Sequence, residues 1–215
     1  SHIRYGLRIG ADVICEKPLV LNPWNVDALI ELEKEYPNKV NTILQLRHHK
    51  SILALKDKIE KGDSEKVYEI DLTYITSRGK WYFTSWKGNE SKSGGISSNI
   101  GVHFFDMLQW IFGSIKDFSV HIKTPDTNAG TLKFKQANVN WYLSINSEKL
   151  PPSAKEKGLP TFRSLKIAGE EIEFSKGFTE LHTVSYQKIL EGKGYGLIDA
   201  KKSIEIVSKI RNKEL

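Results

Sequence analysis

A chain of 215 residues that is 39% hydrophobic and 10% aromatic can bury a sizeable core, which excludes intrinsic disorder as its resting state. One cysteine excludes an internal disulfide, and no Cys/His cluster has metal-ligand spacing, so the expectation is a reducing, cytoplasmic setting and no metal. The net charge of +6 is interleaved with acids, as across Glu31 to Lys39 and Lys56 to Lys66, which argues against a nucleic-acid module and for a mild attraction of anionic small molecules.

Residues 3 to 9 read as the last turns of a helix with Gly10 in the C′ position. The apolar run Ala11-Asp12-Val13-Ile14 then reads as a buried strand over residues 11 to 16, with Cys15 as a small buried side chain. That strand delivers Glu16-Lys17-Pro18 to its carboxyl end, where open α/β sheets bind ligands. Taken alone, a lysine in such a turn is as readily a solvated or salt-bridged residue. Neither these first residues nor any later segment supplies a signal peptide's apolar centre or the roughly 20 apolar residues of a membrane helix, so no membrane partner is expected.

Asn22 as N-cap and Pro23 as first helical residue open a helix over residues 23 to 36. Asn38 introduces a second strand, Val40 to Leu46, which ends in Arg47-His48-His49 and places Gln45 and Arg47 at the same crevice as Lys17. A helix over Ile52 to Lys61 follows, with Ile52, Leu55 and Ile59 on one face and Gly62 as its stop. Strands alternating with helices point to a parallel, doubly wound sheet over residues 1–65.

From residue 66 to 215 the pattern changes. Tyr68, Ile70, Leu72 and Tyr74 alternate with Val67, Glu69, Asp71 and Thr73, the period of a strand with one buried face. Further strands are predicted at Phe118 to Lys123, Gly130 to Phe134, Ala137 to Asn146, Arg163 to Ala168 and Glu171 to Phe174, with a loop over Pro151 to Pro160. They suggest an open, mostly antiparallel sheet with helices on one face, whose other face can pair with another subunit as a homodimer or homotetramer. Helices over Leu181 to Leu190 and Leu197 to Arg211 close the chain.

Within this second part, Ser93-Gly94-Gly95 leads into a helix whose Ile100, Phe104, Leu108 and Ile111 form a buried stripe. Asn99, His103 and Asp106 line an adjacent face and can meet one ligand. An imidazole whose tautomer a nearby carboxylate fixes is a sensible proton acceptor, and Asp106 is one candidate for that carboxylate. Upstream, Arg78, Lys80, Trp81, Tyr82 and Trp86 form an aromatic and basic run: rings to stack on a base or pyranose, cations for a diphosphate or carboxylate. The bland reading is a hairpin or loop whose aromatics pack under the domain.

The strand-end Glu16-Lys17-Pro18, together with Gly94 to Asp106 read as Gly-Gly-x-x-x-Asn-x-Gly-x-His-x-x-Asp, resembles the Gfo/Idh/MocA family of NAD(P)-dependent sugar oxidoreductases. The resemblance runs the length of the chain. It implies the C-terminal part of a Rossmann-like domain followed by the open-sheet domain, with on the order of 90 residues of the first βαβα portion, including the Gly-x-Gly-x-x-Gly turn, outside this sequence. The segments Arg78 to Gly88, Thr161 to Ser164 and Gly177 to Thr183 are similar to the subgroup that oxidises the C3 hydroxyl of UDP-N-acetylglucosaminuronic acid, a step towards bacterial surface polysaccharides.

Carried onto this sequence, the resemblance implies that Lys17 stabilises the developing alkoxide, His103 removes the proton and Asn99 orients the sugar. Glu16 and Pro18 then lie against the nicotinamide ribose, and Lys17 to Pro18 is a candidate cis peptide. NAD is the implied cofactor, with NADP left open because the acidic residue that reads the ribose 2′-hydroxyl falls outside this sequence. The alternatives are a non-catalytic nucleotide-sugar-binding or assembly module and another sugar dehydrogenase of the same family.

Overall fold

The computed structural model describes residues 1–172 and 180–214. Helix α1 (His2–Arg8) ends as expected, with Gly10 at φ +78°, and leads into strand β1 (Val13–Cys15). Helix α2 (Pro23–Glu33) comes next, then strand β2 (Val40–Thr42) and helix α3 (Lys50–Glu60). Strands β1 and β2 pair in parallel, Val13 opposite Val40 and Cys15 opposite Thr42.

Three expectations for this part need correction. Among the described residues β1 has only β2 beside it, so the strand is not buried on both faces and Ile14 is 40% exposed. Strand β2 stops at Thr42 instead of Leu46, because the chain must turn in time to start α3 at Lys50; Gln45–His48 form a 3₁₀ turn, and the His49 ring accepts from the Ser51 amide at 3.2 Å to cap α3. Asn22 stands at the N-cap position, but its side-chain oxygen accepts from the Arg211 guanidinium and leaves α2 without a side-chain cap.

Strand β3 (Tyr68–Thr76) shows the expected alternation, with Tyr68, Ile70 and Leu72 buried and Glu69 and Asp71 exposed. The segment after it is a chain of short turns: helix α4 (Trp81–Thr84), a 3₁₀ turn at Trp86–Gly88 and helix α5 (Glu90–Ser93). Gly94 and Gly95 both take positive φ (75° and 71°), a double left-handed step that reverses the chain. The stretch beyond Gly95 is not one regular α-helix: Ser97–Gly101 form a π turn that feeds helix α6 (Val102–Phe112).

Strands β4 (Asp117–Lys123), β5 (Thr127–Lys133) and β6 (Ala137–Ser144) come next. The expected loop over Pro151 to Pro160 contains a short helix α7 (Pro152–Glu156), which Pro152 can start because the first helical position needs no amide donor. Strands β7 (Thr161–Ile167) and β8 (Glu170–Glu171) complete a sheet of order β4-β5-β6-β3-β7-β8 among the described residues. Glu173 and Phe174, predicted to extend β8, and Gly177 to Thr179 lie outside the described residues. Every neighbouring pair in this sheet is antiparallel except β3 with β6, in accord with a mostly antiparallel sheet.

One face of the large sheet packs on α6, where the Phe105 and Trp141 rings meet edge to face at 5.3 Å. The other face carries polar ladders, such as Asn138 donating to Glu69 (2.7 Å) and Asn140 to Asp71 (3.0 Å). Helix α8 (Leu181–Leu190) packs on the 3₁₀ turn at Gln45–His48, and helix α9 (Leu197–Asn212) packs on α2, β2 and α6. A continuous apolar core therefore joins the parallel pair to the large sheet, and a crevice opens between them. Among the described residues no helix is long and apolar enough to cross a membrane, and no His/Cys/Asp/Glu group could hold a metal ion.

Candidate active site

A cavity of about 130 Å³ lies where the end of β1 faces the π turn before α6, with Lys17, Gln45, Arg78, Asn99, His103 and Arg163 in its wall. Lys17 leaves β1 with a cis peptide to Pro18, as the sequence suggested. Its ammonium donates to the Asn99 backbone carbonyl at 2.6 Å. Burial lowers the Lys17 pKa to about 8; Glu16 opposes that shift, and Lys87 and Arg78 reinforce it.

His103 is placed on the first turn of α6 and faces the same cavity. Burial holds its imidazole well below the ordinary value, and the positive charges of Lys17, His182 and Arg163 push the same way. At neutral pH the ring is uncharged, the form that can accept a proton. Asn99 belongs to the π turn, a distortion that recurs at functional sites. Its carboxamide donates to the Tyr82 hydroxyl at 3.3 Å, which ties the turn to α4.

Gln45 brings an unmet need. Its Oε1 is buried with no hydrogen-bond partner among the described residues, in the wall it shares with Lys17 and His103. A buried acceptor left unpaired costs about 1–3 kcal/mol. Glu16 points to the rim instead, where its carboxylate lies 3.0 Å from His182 Nε2.

A buried ion pair overturns the placing of Arg47 at the crevice and realises the alternative left open for Asp106, a bond elsewhere than His103. Arg47 Nη2 and Nε donate to Asp106 at 2.8 and 3.0 Å, and the same guanidinium donates to the Asp199 carboxylate (3.2 Å) and carbonyl (3.1 Å) with the Tyr195 ring 4.5 Å away. Burial alone would lower the Arg47 pKa, but the hydrogen bonds and charge of Asp106 raise it. Asp106 is thus engaged by Arg47, as a buried carboxylate requires a cation, and does not serve His103; Arg47 is locked between α6 and α9 and does not face the crevice.

The aromatic and basic run is divided as well. Arg78, Tyr82, Trp86 and Lys87 line an outer groove of about 300 Å³ that shares Lys17, Arg78 and Asn99 with the inner cavity. Trp86 is 57% exposed and can stack on a ligand, whereas the Tyr82 ring is 4% exposed and offers only its hydroxyl. Lys80, at the N-cap of α4, and Trp81, its first residue, are exposed and are not among the residues that line either space, although the Trp81 ring lies 5.9 Å from the ammonium of the groove residue Lys87.

Comparison with known proteins gives this geometry its relatives. A profile described as the oxidoreductase family, C-terminal alpha/beta domain (GFO_IDH_MocA_C), matches residues 56–156. The crystal structure of the WlbA (WbpB) dehydrogenase from Thermus thermophilus in complex with NAD and alpha-ketoglutarate superposes with a TM-score of 0.95 at 46% identity, covering 100% of this chain and 69% of that one. The chain belongs to the Gfo/Idh/MocA oxidoreductase family. The same Thermus dehydrogenase in complex with NAD and UDP-GlcNAcA gives a TM-score of 0.94 at 45% identity, over 100% and 68% of the two chains.

Among curated relatives, the putative oxidoreductase YteT of Bacillus subtilis is 30% identical over 118 residues, 53% of this chain. Oxidoreductase cns1 of Cordyceps militaris is 25% identical over 146 residues, 64% of this chain. The chain spans well under half the length of these two, 28% of YteT and 17% of cns1.

The site of this Gfo/Idh/MocA chain includes residues that sequence reasoning does not single out. Arg163 enters the sequence pattern only as part of a segment, and Tyr74 only as a strand position, yet they are register partners on β7 and β3 and both line the cavity. A polar residue in a strand otherwise facing the core is the available signal. Nothing in the sequence assigns His182 more than a structural part; its place beside Glu16 depends on α8 packing on the 3₁₀ turn at Gln45–His48, which no local pattern reveals.

Proposed function

We propose that this protein oxidises the C3 hydroxyl of a UDP-N-acetylglucosaminuronic acid type of nucleotide sugar to a ketone, with NAD as hydride acceptor, in the cytoplasmic synthesis of bacterial surface polysaccharide. The observation that carries the reading is the convergence of Lys17, Asn99 and His103 on one cavity with a neutral imidazole beside a buried ammonium. His103 would take the hydroxyl proton, the Lys17 ammonium would stabilise the alkoxide as it forms, and Asn99 would orient the sugar. The likeness to the Thermus dehydrogenase bound to NAD and UDP-GlcNAcA supports the choice of cofactor and substrate.

The residues present fit the nicotinamide end of NAD. Gln45 Oε1, buried and unpaired, offers an acceptor for a carboxamide, next to Glu16, Lys17 and Pro18 at the end of β1. When bound, NAD supplies the hydride-accepting carbon. In this reading residues 1–65 form the dinucleotide side of the crevice and residues 66–215 the sugar side, with α9 crossing back to brace both. The polar outer face of the large sheet is the surface proposed to pair two or four copies, and solution scattering checks that.

The deciding experiment follows NADH formation by the full-length gene product with UDP-N-acetylglucosaminuronic acid. Turnover that collapses in Lys17→Ala and His103→Ala supports the reading; turnover unchanged in both overturns the assignment. The alternative reading is a nucleotide-sugar-binding module without turnover. It predicts sugar-nucleotide binding with no NADH formed.

A further inference from the structure

The Asn99 side chain is held at one end only. Its Nδ2 donates to the Tyr82 hydroxyl at 3.3 Å and lies 3.5 Å from the Lys87 backbone carbonyl, while its Oδ1 has no hydrogen-bond partner among the described residues. We propose that Tyr82 is a positioning residue that acts through Asn99: it takes the amide nitrogen, so that the carboxamide oxygen faces the cavity and selects a sugar with a hydroxyl or N–H donor near its reacting carbon. The inference rests on the nucleotide-sugar reading above and adds the residue that sets the polarity of Asn99 and the kind of group Asn99 reads.

Two oxygens on one side of Asn99 decide which end of the amide faces them. A carboxamide has a donor end and an acceptor end of nearly the same shape, so its orientation is set by its partners. The Lys87 carbonyl can only accept, and it therefore calls for Nδ2. The Tyr82 oxygen then takes an N–H of the same group. With the amide turned over, Oδ1 would face the Lys87 carbonyl, two acceptors with no proton between them. Asn99 lines both the inner cavity and the outer groove, and the acceptor end is the one left for a ligand. Lys17 and Arg78 in the same wall only donate, so Asn99 Oδ1 supplies the acceptor that a sugar's own O–H or N–H requires.

The series of short turns builds this clamp. The Tyr82 ring is buried, and its carbonyl accepts from Ser85 Oγ at 2.8 Å, while the same Oγ accepts from the Lys87 amide at 3.3 Å. One hydroxyl thus joins α4 to the 3₁₀ turn that carries Lys87. Gly88 completes the approach: a Cβ there would stand 2.6 Å from both Phe83 Cα and the Tyr82 carbonyl oxygen, so a side chain would push the turn off α4. Asn99 also holds the Lys17 ammonium on its backbone carbonyl at 2.6 Å. Its side-chain oxygen therefore works close to the hydroxyl that Lys17 serves.

A double-mutant cycle on the full-length gene product tests this, with UDP-N-acetylglucosaminuronic acid bound at equilibrium in the presence of NADH, which blocks turnover. Tyr82→Phe keeps the buried ring and removes only the hydroxyl. It is expected to weaken binding about 3- to 10-fold, the span of one neutral hydrogen bond. Asn99→Asp changes the charge of the site and so its own affinity, which the cycle cancels. A carboxylate has two equivalent oxygens and no wrong end, so in the Asn99→Asp background Tyr82→Phe should change affinity by less than about twofold. The proposal is overturned if Tyr82→Phe leaves wild-type binding unchanged. It is equally overturned if the loss is not reduced in the Asn99→Asp background, which would mean that Tyr82 touches the sugar itself or only braces the fold. A wild type that does not bind the sugar nucleotide overturns the proposal and the nucleotide-sugar reading together. NADH formation is measured separately, so the expected cycle without NADH would sink the dehydrogenase reading and leave the Tyr82 assignment standing.

Discussion

The Lys17 ammonium reaches from the end of β1 to the backbone carbonyl of Asn99, 2.6 Å away, and so joins the parallel pair to the π turn that opens α6. A charged donor in a half-buried position carries a desolvation cost, which its lowered pKa records. A cation kept there against that cost is expected to serve the chemistry more than the fold. Lys17→Met should lower kcat by about 100- to 1000-fold, the range for losing one charge-stabilising donor. Thermal melting of the same variant should not fall, and a large fall would assign Lys17 to structure.

The pH profile follows from the two shifted groups. Only the protonated Lys17 can stabilise an alkoxide, so kcat/KM should be full below its pKa of about 8 and decline as pH rises through it. His103 is held well below 6.5, so its base form persists through neutrality and the acid limb of the profile lies under that value. In Lys17→Arg the decline near pH 8 should disappear, since a guanidinium stays charged there. A limb that remains at that pH in the variant would point to another group.

Arg47 and Asp106 make a stability prediction. Asp106→Leu strands a buried guanidinium and should cost about 3–5 kcal/mol in denaturant unfolding, towards the lower end because Asp199 still accepts from Arg47. The double variant Arg47→Met with Asp106→Leu should recover most of the loss, as paired buried charges exchanged for apolar side chains often do. Failure to recover would mean that the pair also holds α6 in place for His103.

How much of this is legible in the chain depends on the range of the interactions. The alternation through Tyr68 to Tyr74 and the bounds of α8 follow from local periodicity and match the structure. The meeting of Lys17, Asn99 and His103 is legible because it rests on two compact motifs. Asp106 escapes sequence reasoning for a different reason: its partner Arg47 sits 59 residues away, and a buried carboxylate takes whichever cation the packing of α6 and α9 brings to it. Lys80 and Trp81 share the composition of a binding run, but the series of short turns from Arg78 to Gly88 decides which members line the groove, and composition does not show that path.

Gln45 couples binding to stability. Replacing it with Leu removes an unpaired buried acceptor and should stabilise the protein by about 1 kcal/mol, read as a rise in Tm. The same change should weaken NAD binding by the full-length gene product, because the acceptor meant for the carboxamide is gone. A variant that gains stability and keeps its NAD affinity would remove Gln45 from the cofactor site.

The order of strands in the large sheet also governs how the chain reaches its native state. Strand β3 lies at the centre, yet its parallel partner begins at Ala137 and its antiparallel partner at Thr161, both far along the sequence. During synthesis β3 leaves the ribosome with two unpaired edges and a row of apolar side chains. It must wait for most of the protein before either neighbour exists. High contact order of this kind slows folding and exposes the nascent chain to aggregation. Slower translation at lower temperature, or a chaperone that shields extended segments, should therefore raise the soluble yield more than any change at the crevice.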